Sequence, residues 1–249
     1  MVNEVEILGV KINNLSPQEI IEKCKDFLIS DNQHYITTIN PEFLVAAKKD
    51  DDFKKILNYS DLGVADGIGL VYAAKIFGQK IKRTTGVDLL ISLCELAEQK
   101  NCSVYFLGGN DTIAAKTASV LKNRFPNLLV GGAESGGEIV DPKEDDPELL
   151  SRINDTEPDI IFVALGQVKQ EKWIYHHLDK IPSVKIAIGV GGSFDYISGQ
   201  IRRAPAFMRK AGLEWLYRLI IEPYRLKRIL NATIVFSWLI FIDYLRPKS

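Results

Sequence analysis

Asp66 lies in the run VADGIG (64–69), among small residues, just after an apolar stretch and just before a helical one. A carboxylate at a strand-to-helix junction, with Gly67 and Gly69 letting a ligand approach the backbone, is how an open α/β sheet presents chemistry at its strand ends. Such a group can take a proton from a substrate, and it can equally cap the helix that follows. On this segment alone both readings stand. Polar side chains recur at other apparent strand ends: Thr37, Thr38 and Asn40 in ITTINPE, Arg83 and Thr84 in KRTTG, Gln167 and Gln170 in LGQVKQEKW. Neutral hydrogen-bonding groups beside one carboxylate and one guanidinium suit sugar hydroxyls and a phosphate, although each alone is commonly a cap or turn residue.

Two apolar runs end in glycine pairs, Gly108-Gly109 in FLGGN and Gly191-Gly192 in GVGGSFD. Glycine at a strand end bares backbone N–H groups and leaves room for a phosphate or a sugar ring, so the pairs are candidate nucleotide contacts; tight turns explain them as well. Asp195, just past the second pair, either accepts hydrogen bonds from a base or ribose or caps the next helix. Neither G-x-G-x-x-G nor G-x-x-x-x-G-K-[ST] is completed, so neither a dinucleotide fingerprint nor a P-loop is indicated. Near the C-terminus, GLEWLYRLIIEPYRLKRIL carries Arg218, Arg225 and Arg228. If Pro223 only kinks the helix, these three share a face that can hold a diphosphate; otherwise they belong to an ordinary helix with a solvated basic face.

His34, His176 and His177 form no spaced ligand set, and the adjacent pair reads as solvated on a surface helix. Asp50-Asp51-Asp52 contains a D-x-D triplet but falls between helical segments, where a helix cap is expected. No metal and no cofactor is expected. Cys24, Cys94 and Cys102 sit in apolar patterns without C-x-x-C spacing, and G-x-S-x-G is absent. Disulfide frameworks, zinc sites, and serine or thiol hydrolases are therefore not indicated, and a reducing, cytoplasmic setting is the default.

Something must hold these side chains in place. Apolar runs of strand length alternate with helical patterns to about residue 200, which predicts an α/β core: a Rossmann-like, mostly parallel sheet with helices on both faces. Ser16-Pro17-Gln18-Glu19 reads as a capping box opening the first helix. The 249 residues, 46% hydrophobic and 25% charged, suffice for one large domain or a domain with an appendage. The net charge of −1 hides an asymmetry. Residues 200–249 carry ten Lys or Arg against three acids, about +7, leaving about −8 for the rest. This predicts a core over 1–199 and a basic, aromatic helical appendage over 200–249 suited to an anionic partner. Trp215, Tyr217, Tyr224, Trp238 and Tyr244 add side chains that favour a bilayer interface. The uncharged run Ile229–Ile242 is 14 residues, short of the roughly 18 to 20 that cross a bilayer, so it is expected to lie on a membrane rather than span one. No basic start followed by an apolar core opens the chain, so no signal peptide is expected.

Taken in order, TINPE, VADGIG, KRTTGVD, FLGG, GQVKQEKW, GVGGSFDYISGQIRRAP and GLEWLYRLIIEPYRLKR resemble the WecG/TagA/CpsF glycosyltransferase family over nearly the whole chain. One departure is Val168, where many relatives have proline; Gln167, Gln170 and Glu171 stay in place. The resemblance implies an inverting, metal-independent enzyme. It would move N-acetylmannosamine from a UDP-sugar donor to the 4-hydroxyl of N-acetylglucosamine on undecaprenyl diphosphate, as in the linkage unit of wall teichoic acid. UDP-N-acetylmannosaminuronic acid or another UDP-hexose, for a different surface polysaccharide, stays open. By the same carry-over Asp66 is the general base, Thr38, Asn40 and Gln167 orient the sugars, and Arg83, Arg218, Arg225 and Arg228 stabilise the departing diphosphate. The appendage would close over the site at the inner face of the cell membrane. No nucleic-acid partner is expected, and the choice between monomer and homo-oligomer stays open. Outside the family, a membrane-associated nucleotide-binding adaptor is the alternative.

Overall fold

The computed structural model describes residues 4–110 and 112–245. It opens with an antiparallel hairpin, β1 (Glu4–Ile7) and β2 (Val10–Asn13), closed by Leu8 and Gly9 at φ 54° and 80°, the left-handed backbone that two-residue hairpin turns need. The sequence carries no signal for this hairpin, because strands this short show no readable period. α1 (Pro17–Ile29) starts on the expected capping box, Ser16 Oγ accepting from Glu19 N–H and Glu19 accepting from Ser16 N–H. Then follow β3 (His34–Ile39), α2 (Pro41–Ala47), α3 (Asp51–Tyr59), β4 (Leu62–Ala65), α4 (Ile68–Ile76), α5 (Gly86–Lys100), β5 (Ser103–Gly108), α6 (Ile113–Arg124) and β6 (Leu129–Glu134). The core ends with α7 (Pro147–Asn154), β7 (Ile160–Ala164), α8 (Lys169–His177), β8 (Ile186–Gly189) and α9 (Ser193–Ile197). As expected, Asp50 caps α3, accepting from Phe53 N–H at 2.9 Å.

Six strands pair in parallel in the order β4-β3-β8-β7-β5-β6. Alternate residues serve opposite faces, as the two-residue period of a strand requires. Ile36, Phe106, Phe162 and Ile188 pack under α1, α5, α6 and α9, while Tyr35, Leu107, Val163 and Ala187 pack under α7 and α8. His177, expected in solvent, is buried there. Its ring stacks on Trp173 at 4.9 Å, and its nitrogens lie 2.9 Å from Trp173 O and 3.2 Å from Glu144 O. One turn of helix separates Trp173 from His177, so the imidazole is carried inward beside the indole while His176 is not.

Beyond the core come α10 (Ala206–Lys210), α11 (Glu214–Ile221), α12 (Leu226–Leu230) and α13 (Phe236–Leu245). Pro223 does more than kink: α11 stops at Ile221, a short 3-10 turn covers Pro223–Arg225, and α12 starts a new direction. Proline lacks the N–H and its ring clashes with the preceding turn, so the single basic face across Arg218, Arg225 and Arg228 does not form as one helix. From Leu226 to Leu245, α12, a π turn (Asn231–Val235) and α13 run on as one helical segment of 20 residues, long and apolar enough to cross a membrane. It exceeds the 14-residue uncharged run because Leu226 and Leu245 extend the helix past the flanking charges. Its Phe236 and Ile240 are buried in one apolar cluster with Phe43, Leu44 and Leu70, the segment lying against α2.

Candidate active site

A cavity of about 840 Å³ opens outside the carboxyl ends of β3, β4, β7 and β8. Asp66 stands on its floor. The backbone there is pinned on two sides, Asp66 N–H donating to Ile39 O at 2.6 Å and Thr84 N–H to Ala65 O at 2.9 Å. Asp66 does not cap its own helix; α4 begins at Ile68 with Gly67 at the N-cap and no side-chain cap. Instead its Oδ2 accepts from Gly86 N–H at 3.1 Å, at the positive N-terminal end of α5. Burial by surrounding protein pushes its carboxyl up to about 6, with Glu214 adding to the rise and the Gly86 N–H and Arg83 opposing it. A carboxylate that still meets the cavity and titrates near neutrality is suited to accepting a proton.

Around Asp66 the structure gathers Thr38, Asn40, Arg83, Gln167, Gln170, Gly191, Gly192, Asp195, Arg218 and Arg228 on the cavity wall. Several are engaged in holding the wall itself. Thr38 Oγ1 donates to Gly189 O at 2.9 Å, and Asn40 caps α2, accepting from Phe43 N–H at 3.1 Å. Gln170 is buried, with its Oε1 taking Gly191 N–H at 2.9 Å. Arg218 lies over Gly192, where a Cβ would sit 2.9 Å from Nη2, and faces the Tyr196 ring at 5.2 Å. Its Nη2 is 3.8 Å from Asp195, and its Nε donates to the buried Glu222 at 2.7 Å. α9 carries no side-chain cap, so Asp195 points to Arg218 and not to its own helix end. Arg228 pairs with Glu42 at 3.0 Å.

Gly108 and Gly109 do not line this cavity. A Cβ on Gly108 would lie 2.5 Å from the Ala164 carbonyl carbon, and Gly109 N–H donates to Ala164 O at 3.1 Å, so the pair fits β5 against the end of β7. The side chain of Arg225 lies outside the described residues.

A family model described as "Glycosyl transferase WecG/TagA/CpsF family" matches residues 5–249. The chain belongs to that family. It is 36% identical over 198 residues, 79% of this chain and 75% of the relative, to the N-acetylglucosaminyldiphosphoundecaprenol N-acetyl-beta-D-mannosaminyltransferase of Bacillus spizizenii. To the Staphylococcus aureus protein of the same name it is 32% identical over 234 residues, 93% of this chain and 90% of the relative. The expected family and the glycosyltransferase activity are thus borne out.

In this WecG/TagA/CpsF chain Glu42, Ser193 and Glu214, which no motif in the sequence singles out as site residues, also line the cavity. Glu214 meets Arg203 at 3.3 Å and Arg83 at 3.7 Å, while Arg83 also donates to Arg209 O at 2.8 Å. These contacts tie α10 and α11 to the strand ends. Glu214 and Trp215 sit in the most distinctive phrase, GLEWLYR, but a lone acid in a basic segment carries no spacing signal. Trp215 and Tyr244, expected at a bilayer interface, are partly exposed and also line the cavity. Among the described residues no group of three or more His, Cys, Asp or Glu is placed to hold a metal.

Proposed function

We propose that this glycosyltransferase moves an N-acetylhexosamine, N-acetylmannosamine by analogy with the named relatives, from a UDP-sugar to N-acetylglucosamine on undecaprenyl diphosphate. The observation that carries the reading is Asp66, a desolvated carboxylate on the floor of the cavity with a pKa raised to about 6. In a single displacement, the acceptor 4-hydroxyl oxygen bonds to the anomeric carbon as its proton passes to Asp66. The bond from that carbon to the diphosphate oxygen breaks, the electron pair leaves with UDP, and the configuration inverts. One well-placed base suffices for such a step.

The leaving diphosphate gains negative charge, and cationic groups fixed in a partly dry cavity stabilise it. Arg218 is placed for this: its buried Nη2 makes no hydrogen bond, and it lies over the backbone of Gly192 at the start of α9. Arg83 and Arg228 supply further charge from the wall, a role that needs no metal. Thr38, Asn40 and Gln167 flank the floor and suit sugar hydroxyls. Residues from about 200 onward act as an appendage that meets the inner face of the cell membrane, where the acceptor resides. The bare apolar side of 226–245 supports that role.

The test incubates the full chain with UDP-N-acetylmannosamine, UDP-N-acetylglucosamine and UDP-N-acetylmannosaminuronic acid and a lipid-linked N-acetylglucosamine acceptor, with and without chelator. Disaccharide from UDP-N-acetylmannosamine with chelator present is the expected result. Product only on addition of a divalent metal overturns the arginine-based mechanism, and product only from another donor overturns the sugar assignment.

A further inference from the structure

Glu171 is a fully buried carboxylate to which the transfer reaction gives no part. Taking a carboxylate out of water is costly, and partners that carry no charge offset little of that cost. The hydrogen-bond partners of Glu171 are neutral. Its Oε2 accepts from the Tyr35 hydroxyl of β3, and its Oε1 from Gln170 Nε2 at 2.9 Å. An apolar side chain of similar size would be held in the interior without that cost, so core packing alone does not account for the group. The backbone nearby makes room for it. A Cβ on Gly189, the last residue of β8, would overlap Glu171 Oε1 and lie 2.6 Å from Gln170 Nε2, so glycine lets the strand end pass over this pair.

Gln170 carries the contact onward to the cavity. Its Oε1 accepts from Gly191 N–H at 2.9 Å, and Gln170, Gly191 and Gly192 all line the cavity. An amide side chain has a donor end and an acceptor end of nearly the same shape, and its neighbours decide which end faces which way. An ionised carboxylate only accepts and a backbone N–H only donates. Glu171 on one side and Gly191 on the other therefore admit a single orientation of Gln170. Gly191 stands at φ 51°, left-handed backbone that glycine enters and leaves at little cost. The turn it belongs to is closed by Ser193 N–H on Val190 O at 3.1 Å and carries Gly192, over which Arg218 lies. A line of contacts thus runs from Tyr35 through Glu171 and Gln170 to the backbone beneath Arg218.

We propose that Glu171 is a positioning residue for the nucleotide: by holding the Gln170 amide in one orientation, it fixes the Gly191–Gly192 turn against which the diphosphate of the UDP-sugar binds. It touches no substrate and moves no proton. The inference rests on the nucleotide-sugar reading proposed above and adds how the wall of that site is kept in register.

The test measures the affinity of the full chain for UDP by titration calorimetry at about pH 8, above the value of about 7 to which burial raises Glu171. Glu171→Met removes the acceptor and Gln170→Met removes the link. Ile153→Ala opens a cavity under α7, on the same face of the sheet and outside the line of contacts. Thermal melts record the stability lost in each variant. Glu171→Met and Gln170→Met are each expected to weaken UDP binding about tenfold, the scale of one buried hydrogen bond. The double variant should bind within about twofold of Gln170→Met, because a residue that acts through another has no effect once the other is gone. Ile153→Ala should melt lower yet bind UDP as the wild type does. Glu171→Gln should restore binding, since its carbonyl still accepts from Gln170 while its amide donates to the Tyr35 oxygen. The inference is overturned if Glu171→Met binds UDP as the wild type does, or if its effect adds in full to that of Gln170→Met. It is equally overturned if Ile153→Ala weakens binding as much, or if Glu171→Gln binds no better than Glu171→Met. Should Glu171→Met not fold, Gln170→Met decides alone, and unchanged affinity overturns the inference. A wild type that does not bind UDP instead overturns the nucleotide-sugar reading itself.

Discussion

Asp66 and Glu171 are both carboxylates withheld from water near the carboxyl ends of the strands, and burial raises both, to about 6 and about 7. Their surroundings differ in what is left to bind. Among the described residues the Asp66 carboxylate accepts one hydrogen bond, from Gly86 N–H, and it lines the cavity. Glu171 is fully buried beneath Gly189, its oxygens taken by the Tyr35 hydroxyl and, at 2.9 Å, by the Gln170 amide. Gln170 in turn holds Gly191. A raised pKa therefore does not by itself mark a base; an unfilled acceptor facing a cavity does. One carboxylate is set to react, the other to hold up the wall beside it.

The largest test of this contrast is Asp66→Asn. Asparagine keeps an acceptor for Gly86 N–H but cannot take the proton, so turnover is expected to fall about 10³-fold or more. Because a buried charge is removed, stability at pH 7.5 should rise by about 1 kcal/mol, discounted for the opening onto the cavity. Initial rates and thermal melts check both parts, and retained turnover would break the assignment. Glu171→Leu should do the reverse. It strands the Tyr35 hydroxyl and a Gln170 N–H in the interior and should cost about 2 to 4 kcal/mol in urea unfolding.

The pH dependence separates the two groups further. Each has a folded pKa above its unfolded value, so the folded state binds the extra proton and stability falls as pH rises from about 4 to the folded pKa, by at most about 1.4 kcal/mol per unit per group. Asp66→Asn should remove the slope that ends near pH 6, and Glu171→Gln the slope that continues to about 7, measured by denaturant unfolding at several pH values. In the wild type, kcat/KM should climb through about pH 6 as Asp66 loses its proton. The smallest effect is expected at Thr38, whose hydroxyl bonds to Gly189 O between the two neighbourhoods. Thr38→Val should lower stability by about 1 kcal/mol and kcat/KM by less than about tenfold. A larger loss of rate would give the Thr38 hydroxyl a greater share in orienting the sugar than one neutral hydrogen bond carries.

Much of the site was legible in the chain because its residues lie directly after apolar runs, and parallel strands put all such positions on one edge. That logic located Asp66, Thr38, Asn40, Gln167, Gln170, Gly191, Gly192 and Asp195 around one cavity. It also took in Gly108 and Gly109, since a glycine pair at a strand end looks the same whether it admits a ligand or a neighbouring strand. Glu214 was invisible for the opposite reason: its partners Arg83 and Arg203 are distant in sequence, and no local pattern announces an ion pair across an interface.

Sequence by itself determined the parallel α/β core, the capping box at Ser16, the family, and the candidates at the strand ends, because these depend on periods and spacings within short stretches of chain. Only the tertiary structure decided what each candidate does. Whether Asp66 caps α4 or meets a cavity turns on Gly86 arriving from another helix. Whether His177 is wet turns on Trp173 and the loop at Glu144. Whether the last helix offers one apolar face or two turns on where α2 and α4 receive Phe236 and Ile240. Desolvation and hydrogen-bond saturation are set by neighbours far along the chain, and so they exist only once the chain is folded.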